Sequence, residues 1–183
     1  MSEGTVLAIH IAEKARGEMK RVEKVLAVPG KGLEGDRYFE RQGTFFNDDE
    51  KLVLPDKEVT LIEQEALDAL LREYKVELLA HESRRNVLTS GVALNHLVGK
   101  EFMVGNTKLR GIRLCEPCRH LEALTKRNLK GLTHRGGLRA QVVEGGEIKV
   151  GDSITVLECV SKNFSREFLE ILQVLGCEGG EKH

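Results

Sequence analysis

The chain has 183 residues, with 28 basic and 29 acidic side chains, two tyrosines and no tryptophan. That length suits one ordinary domain with a real core. The balanced charge sets up no overall field to recruit nucleic acid or an anionic membrane, so any anionic ligand must be held locally, and the scarcity of aromatics argues against a stacking surface for single strands.

Met1 to Ile11 has no basic n-region and its apolar run is interrupted by His10, which is not the pattern of a signal peptide. No run is long enough to span a bilayer, and the expected location is cytoplasmic. In that compartment the four cysteines are more readily metal ligands, reactive thiols or core residues than disulfides.

Thr5 to Ile11 reads as a strand, and Met19 to Val28 as a second. The segment Pro29 to Phe39, with Gly30, Gly32 and Gly35 before Asp36-Arg37, calls for tightly bent backbone; by itself it reads as a surface turn, and it lacks the Gly-Lys-Ser/Thr ending of a phosphate-cradling loop. Glu40 to Lys57 has no period and reads as a long, mobile loop.

Val59 to Ile62 is a short strand passing into a helix in which Leu67, Leu70, Leu71 and Tyr74 have the spacing of a core-facing stripe. Thr60 and Glu63 have the spacing of a capping box, although Thr60 fits the strand equally well. Arg84 to Thr89 is extended; its two arginines and Asn86 are either solvated or directed at a phosphate or a heterocycle edge. Leu94 to Val98 suggests a helical turn, and Glu101 to Val104 turns through Gly105-Asn106 into a strand from Thr107 to Leu114.

In that strand Leu109 and Ile112 have opposite parity, and the break at Gly111 predicts a β-bulge. It leads into Leu114-Cys115-Glu116-Pro117-Cys118-Arg119-His120-Leu121, the densest gathering of reactive side chains in the sequence. Leu121, Leu124 and Leu129 begin a helical pattern, so the thiols fall at a strand-to-helix junction. There, backbone N–H groups, Arg119 and His120 would favour a thiolate, at Cys118 before Cys115.

Leu138 to Leu157 alternates apolar and polar residues between Gly145-Gly146 and Gly151-Asp152, which predicts consecutive antiparallel strands in a meander. Ser165 to Gly176 carries the pattern of one last helix, followed by a frayed tail. The expected fold class is mainly β with helices (α+β), a β-barrel of antiparallel strands and hairpins with a few peripheral helices, spanning residues 1–158 and followed by a C-terminal helix and tail over 159–183.

Three chemistries fit Cys115 and Cys118. Zinc is the least supported, since no second closely spaced pair of ligands exists. A Cys-x-Pro-Cys dithiol oxidoreductase would need a βαβ unit that the hairpins around the motif do not provide. The third is a single nucleophilic or metal-ligating thiolate, Cys118.

Four motifs, Gly32 to Tyr38, Arg84 to Val87, Leu114 to Cys118 and Gly145 to Asp152, stand in the order and approximate spacing of MOSC domains, which the chain resembles from about Thr5 to Glu158. The group is similar to the C-terminal domain of molybdenum cofactor sulfurase and includes small stand-alone bacterial proteins. The resemblance implies a β-rich, barrel-like fold and the molybdenum cofactor in its molybdopterin form. It implies Cys118 as the residue that carries sulfur as a persulfide or ligates molybdenum. Arg84 and Asn86 match the element that touches the pterin and its phosphate, and Arg37 is a further phosphate partner.

The chain has no counterpart of the fused desulfurase domain, so the resemblance implies no pyridoxal phosphate site, and a sulfur donor or redox partner protein would be needed. Whether the domain is an enzyme stays open at this point. The alternative to a sulfur carrier or cofactor-binding protein is a molybdenum-dependent reductase of N-hydroxylated compounds.

Overall fold

The computed structural model describes residues 3–42 and 53–157. In chain order these form β1 (Glu3–Ile11), β2 (Lys20–Val22), β3 (Lys24–Val28), β4 (Gly32–Leu33), β5 (Val59–Glu63), α1 (Gln64–Tyr74), β6 (Val87–Ser90), β7 (Glu101–Val104), β8 (Thr107–Leu114), α2 (Arg119–Thr125), β9 (Leu138–Glu144), β10 (Gly146–Lys149) and β11 (Ser153–Val156). Short 3-10 turns lie at Pro55–Lys57, His81–Ser83, Leu94–Leu97 and Lys130–Leu132. Among the described residues no helix is long and apolar enough to cross a membrane.

Eight strands form one sheet in the order β11-β7-β8-β9-β5-β6-β1-β2, and a further pairing of β11 with β1 closes it. Because β2 lies outside that closure, the barrel itself has seven strands. All its pairings are antiparallel except β5 with β6, which are parallel and joined across α1. A separate small sheet has the order β10-β3-β4. Closure leaves the barrel no free edge, the usual weak point of an all-β domain.

Alternation sorts the side chains between two cores. Inward positions, among them Ile9, Phe102, Leu109, Leu138 and Ile154, fill the barrel. Outward positions Ala8, Ile62 and Leu88 pack instead with Leu67 and Leu70 of α1 and Leu121 of α2. Val6 and Ile9 both reach the interior although three apart, because the register of β1 with β6 shifts between Val6 and Ala8. A second bulge lies where expected, between Gly111 and Arg113 of β8.

Several expectations are corrected. Met19 to Val28 is not one strand: the chain leaves the barrel at Glu23, so β2 pairs with β1 while β3 pairs with β10 and β4. The strands after Leu138 are present, but they do not form a meander: β9 lies between β5 and β8, β10 joins β3, and β11 joins β1 and β7. A single residue, Gly145, separates β9 from β10, which is too short for a hairpin and instead carries one extended run from the barrel into the small sheet.

The capping box also fails. Thr60 lies within β5, where its hydroxyl bonds Asn86, and Glu63 caps α1 without a side-chain bond to it. Glu63 instead accepts the Leu94 N–H. In α1, Leu67 and Leu70 are core residues, but Leu71 and Tyr74 are 48% and 54% exposed. The C-terminal helix, and the part of the Glu40 to Lys57 loop over 43–52, lie outside the described residues.

Glu58, just before β5, is only 2% exposed. One carboxylate oxygen accepts the Val142 N–H at 3.0 Å and the Gly30 N–H at 3.3 Å, tying β9 to the glycine segment. Burial outweighs those two bonds and pushes its pKa from 4.5 up to about 7. The folded protein therefore retains a proton that the unfolded chain releases, so this group's contribution to stability is full below pH 4.5 and is lost as pH rises through about 7. At about 1.4 kcal/mol per pKa unit, the full effect is on the order of 3 kcal/mol. We expect Glu58→Gln to gain stability over the wild type as pH rises from about 5 to about 8 in urea unfolding series. Parallel pH profiles for the two proteins would show that the carboxyl is not held in this way.

Candidate functional site

On the outer wall of the barrel, a buried amide organises a pocket. Asn86, 3% exposed, precedes β6. Its Oδ1 accepts the Thr60 N–H at 3.2 Å and the Thr60 hydroxyl at 2.7 Å. Its Nδ2 donates to the His10 carbonyl and to Asp36 Oδ1, each at 3.2 Å. An amide side chain offers two donor hydrogens and two acceptor sites, and all four are used inside the protein.

Asp36, 2% exposed, also accepts the Ala12 N–H at 3.1 Å and the Tyr38 N–H at 3.3 Å. It pairs with Arg37 Nη1 at 3.2 Å, and Arg37 lies over the Tyr38 ring at 5.2 Å. The glycine segment is therefore not a surface turn but a wall of the site, seated on the barrel. Gly32, at φ +92°, explains part of the glycine content, since a Cβ there would stand 2.5 Å from the Glu58 carbonyl oxygen.

Arg84 occupies the left-handed region at φ 63° and donates to the Gly17 carbonyl. Burial, reinforced by the neighbouring Arg37 charge, lowers its pKa. Burial likewise raises that of the Tyr38 phenol. Arg85 is 8% exposed, and its guanidinium reaches three carbonyls, those of Ser83, Cys115 and Gly136, each at 3.0 Å.

Those bonds tie the cysteine segment to the loop before β9. Glu116 strengthens the tie by accepting the His134 N–H at 2.8 Å and meeting the His134 ring Nδ1 at 3.1 Å. Gly136 is required there, because a Cβ would lie 2.5 Å from the Cys115 carbonyl oxygen. Cys115 is 2% exposed, whereas Cys118, at the N-cap of α2, is exposed. The strand-to-helix placement and the contrast between the two thiols agree with the sequence reading.

These elements enclose a pocket with about 540 Å³ of empty space, part of it open to solvent. Arg37, Arg84, Arg85 and Arg139 line it together with His120, Tyr38, Thr60, Cys115, Cys118 and Leu121; among the described residues no carboxylate joins them. The structure thus brings Arg37, Arg84 and Cys118 to one cavity and places Asn86 behind it, bonded to the carboxylate that pairs with Arg37. Arg139 was readable from sequence only as the polar position of an alternating strand, and Tyr38 and Arg85 carried no signal separate from their neighbours. Among the described residues no three His, Cys, Asp or Glu side chains assemble as a metal site, so the zinc reading has no ligand set there. The βαβ unit of the fold, β5-α1-β6, does not contain the cysteines, which removes the structural analogy behind a dithiol centre.

Asn86→Ala should cost about 3 kcal/mol in urea unfolding, because it removes the acceptor of the buried Thr60 N–H and hydroxyl and one of the donors to the buried Asp36 carboxylate. An exposed-site control, Arg110→Ala, should change stability by less than about 0.5 kcal/mol. A loss below about 1 kcal/mol at Asn86 would mean that the network re-forms without the amide.

The MOSC domain profile matches residues 48–155. No curated protein sequence matches the chain significantly. Among solved structures, the YuaD protein of Bacillus subtilis is similar at a TM-score of 0.70 and 18% identity, over 84% of this chain and 95% of that one. YiiM of Geobacillus stearothermophilus follows at 0.64 and 14%, over 93% and 83% of the two chains. YiiM of Escherichia coli aligns at 0.61 and 17%, over 86% and 71%. These likenesses establish the fold, and with the profile covering more than half of the sequence, the chain belongs to the MOSC domain family.

Proposed function

We propose that this domain binds the molybdopterin form of the molybdenum cofactor in the arginine-lined pocket, with Cys118 as its functional sulfur. The observation that carries the reading is a cavity lined by four guanidinium groups and a histidine, with no carboxylate among the described residues of its wall and an exposed thiol at its edge. Such a donor set suits a ligand that combines a phosphate, hydrogen-bonding ring edges and a soft metal. When bound, the cofactor would supply a molybdenum centre for sulfur or redox chemistry.

Arg37 and Arg84 hold the phosphate, and Tyr38 and His120 face the remaining polar edges. Asn86 serves the site from behind, fixing Asp36 and through it the Arg37 guanidinium. Cys118 Sγ either ligates molybdenum or accepts a sulfane sulfur from the persulfide of a donor protein, whose own thiol leaves. Cys115 is packed away from solvent, with its carbonyl bonded to Arg85 and its N–H to the Gly137 carbonyl at 2.8 Å. That burial supports a single-thiol scheme over a dithiol one.

Serine replacements separate the schemes. Cys118→Ser should abolish persulfide loading, read by mass spectrometry, or molybdenum retention, read by metal analysis, while Cys115→Ser leaves both nearly intact. Arg84→Ala should retain at least about tenfold less pterin, measured as fluorescence after oxidation, since a charge-assisted bond is worth about 1.5 to 3 kcal/mol. Equal losses in the two serine variants, with a reversible Cys115–Cys118 disulfide in the wild type, would overturn the single-thiol assignment.

A further inference from the structure

One cation of the pocket keeps a buried donor that no described residue answers. Arg139 on β9 stands in register with Thr60 of β5 on one side and Arg113 of β8 on the other. Like charges directly opposite each other across an antiparallel pair repel. Arg113 is compensated, because its Nε and Nη2 both reach Asp56 Oδ2, at 2.9 and 2.6 Å. Arg139 is not: its Nη1 donates to the backbone carbonyl of the same Asp56 at 3.0 Å, and no carboxylate of the described residues pairs with it.

Its Nε is buried and meets no acceptor among the described residues. A buried N–H without a partner is costly, and a guanidinium holds its donors in a rigid fork. Anchoring Nη1 on Asp56 therefore also fixes where Nε points. Arg139 lines the same pocket as Arg37 and Arg84, and its charge contributes to the environment of the Tyr38 phenol there.

We propose that Arg139 binds the pocket's ligand directly, as an additional oxyanion-binding residue whose Nε–H is completed by the ligand. The inference rests on the reading that the pocket takes a phosphate-bearing ligand, and it assigns part of that anion to β9, a strand outside the four motifs that carry the family resemblance. The carbonyl anchor orients the guanidinium without cancelling its charge, so the full charge remains available to the anion.

The test is thermal unfolding of the full chain titrated with inorganic phosphate, against chloride at matched ionic strength, for the wild type, Arg139→Gln, Arg139→Lys and Arg84→Ala. The wild type should show a saturable upward shift. Arg139→Gln should need at least about tenfold more phosphate for the same shift, while its phosphate-free midpoint stays within about 3 °C of the wild type, because the lost Asp56 bond is offset by removal of an unpaired donor. Arg139→Lys, which keeps charge without the fork, should fall between the two, and it serves as the readable variant if Gln unfolds the protein. A normal phosphate response in both Arg139 variants, with the response lost in Arg84→Ala, overturns the assignment and leaves the anion pocket standing. Absence of a saturable shift in the wild type overturns both.

Discussion

The buried Asn86 amide is the constraint on which the site depends. An amide removed from water must find four partners or destabilise the fold, and here they come from β1, β5 and the glycine segment. Satisfying it pins that segment to the barrel wall through Asp36. Asp36 in turn sets the direction of Arg37. The placing of one of the pocket's cations therefore follows from a neutral group that does not line it.

The other guanidinium groups share one device. Arg84 is held by the Gly17 carbonyl, Arg85 by the carbonyls of Ser83, Cys115 and Gly136, and Arg139 by that of Asp56. A carbonyl also orients a guanidinium, though less strongly than a carboxylate does, and it carries no net charge. Three cations can thus be positioned in one wall without being neutralised, and at Arg84 burial, with the Arg37 charge second, lowers the pKa. Arg85 has a second task, since the same bonds fix the backbone around Cys115 and leave Cys118, three residues on, at the solvent side.

What was legible in the sequence was local. The Gly105-Asn106 hairpin, the bulge at Gly111, the helix after β5 and the junction that exposes Cys118 each follow from a few neighbouring residues. Long-range pairing was not legible: alternation in Leu138 to Leu157 says which face each residue takes but not which strand lies beside it, so β9, β10 and β11 read as a meander when they belong to three different neighbourhoods. The same limit hid the closure of β1 on β11. At the site, Arg84 and Asn86 look alike in sequence as polar groups before a strand. Only burial separates one that faces the pocket from one whose bonds are already made.

The barrel core and the pocket are two faces of the same strands. In β5, Val59 and Leu61 fill the interior while Thr60 points outward; in β9, Leu138 and Ala140 do so while Arg139 points outward. A slip of one residue in either strand would bring a guanidinium or a hydroxyl into the apolar interior and turn leucines toward the pocket, so the register that excludes water from the core also aligns the side chains that line the pocket. Solved structures with 14–18% identity to this chain share the fold. The outward positions divide between those that pack beneath the helices, such as Ala8, Ile62 and Leu88, and those that line the pocket, such as Thr60 and Arg139, and it is at the latter that the pocket's chemistry is written.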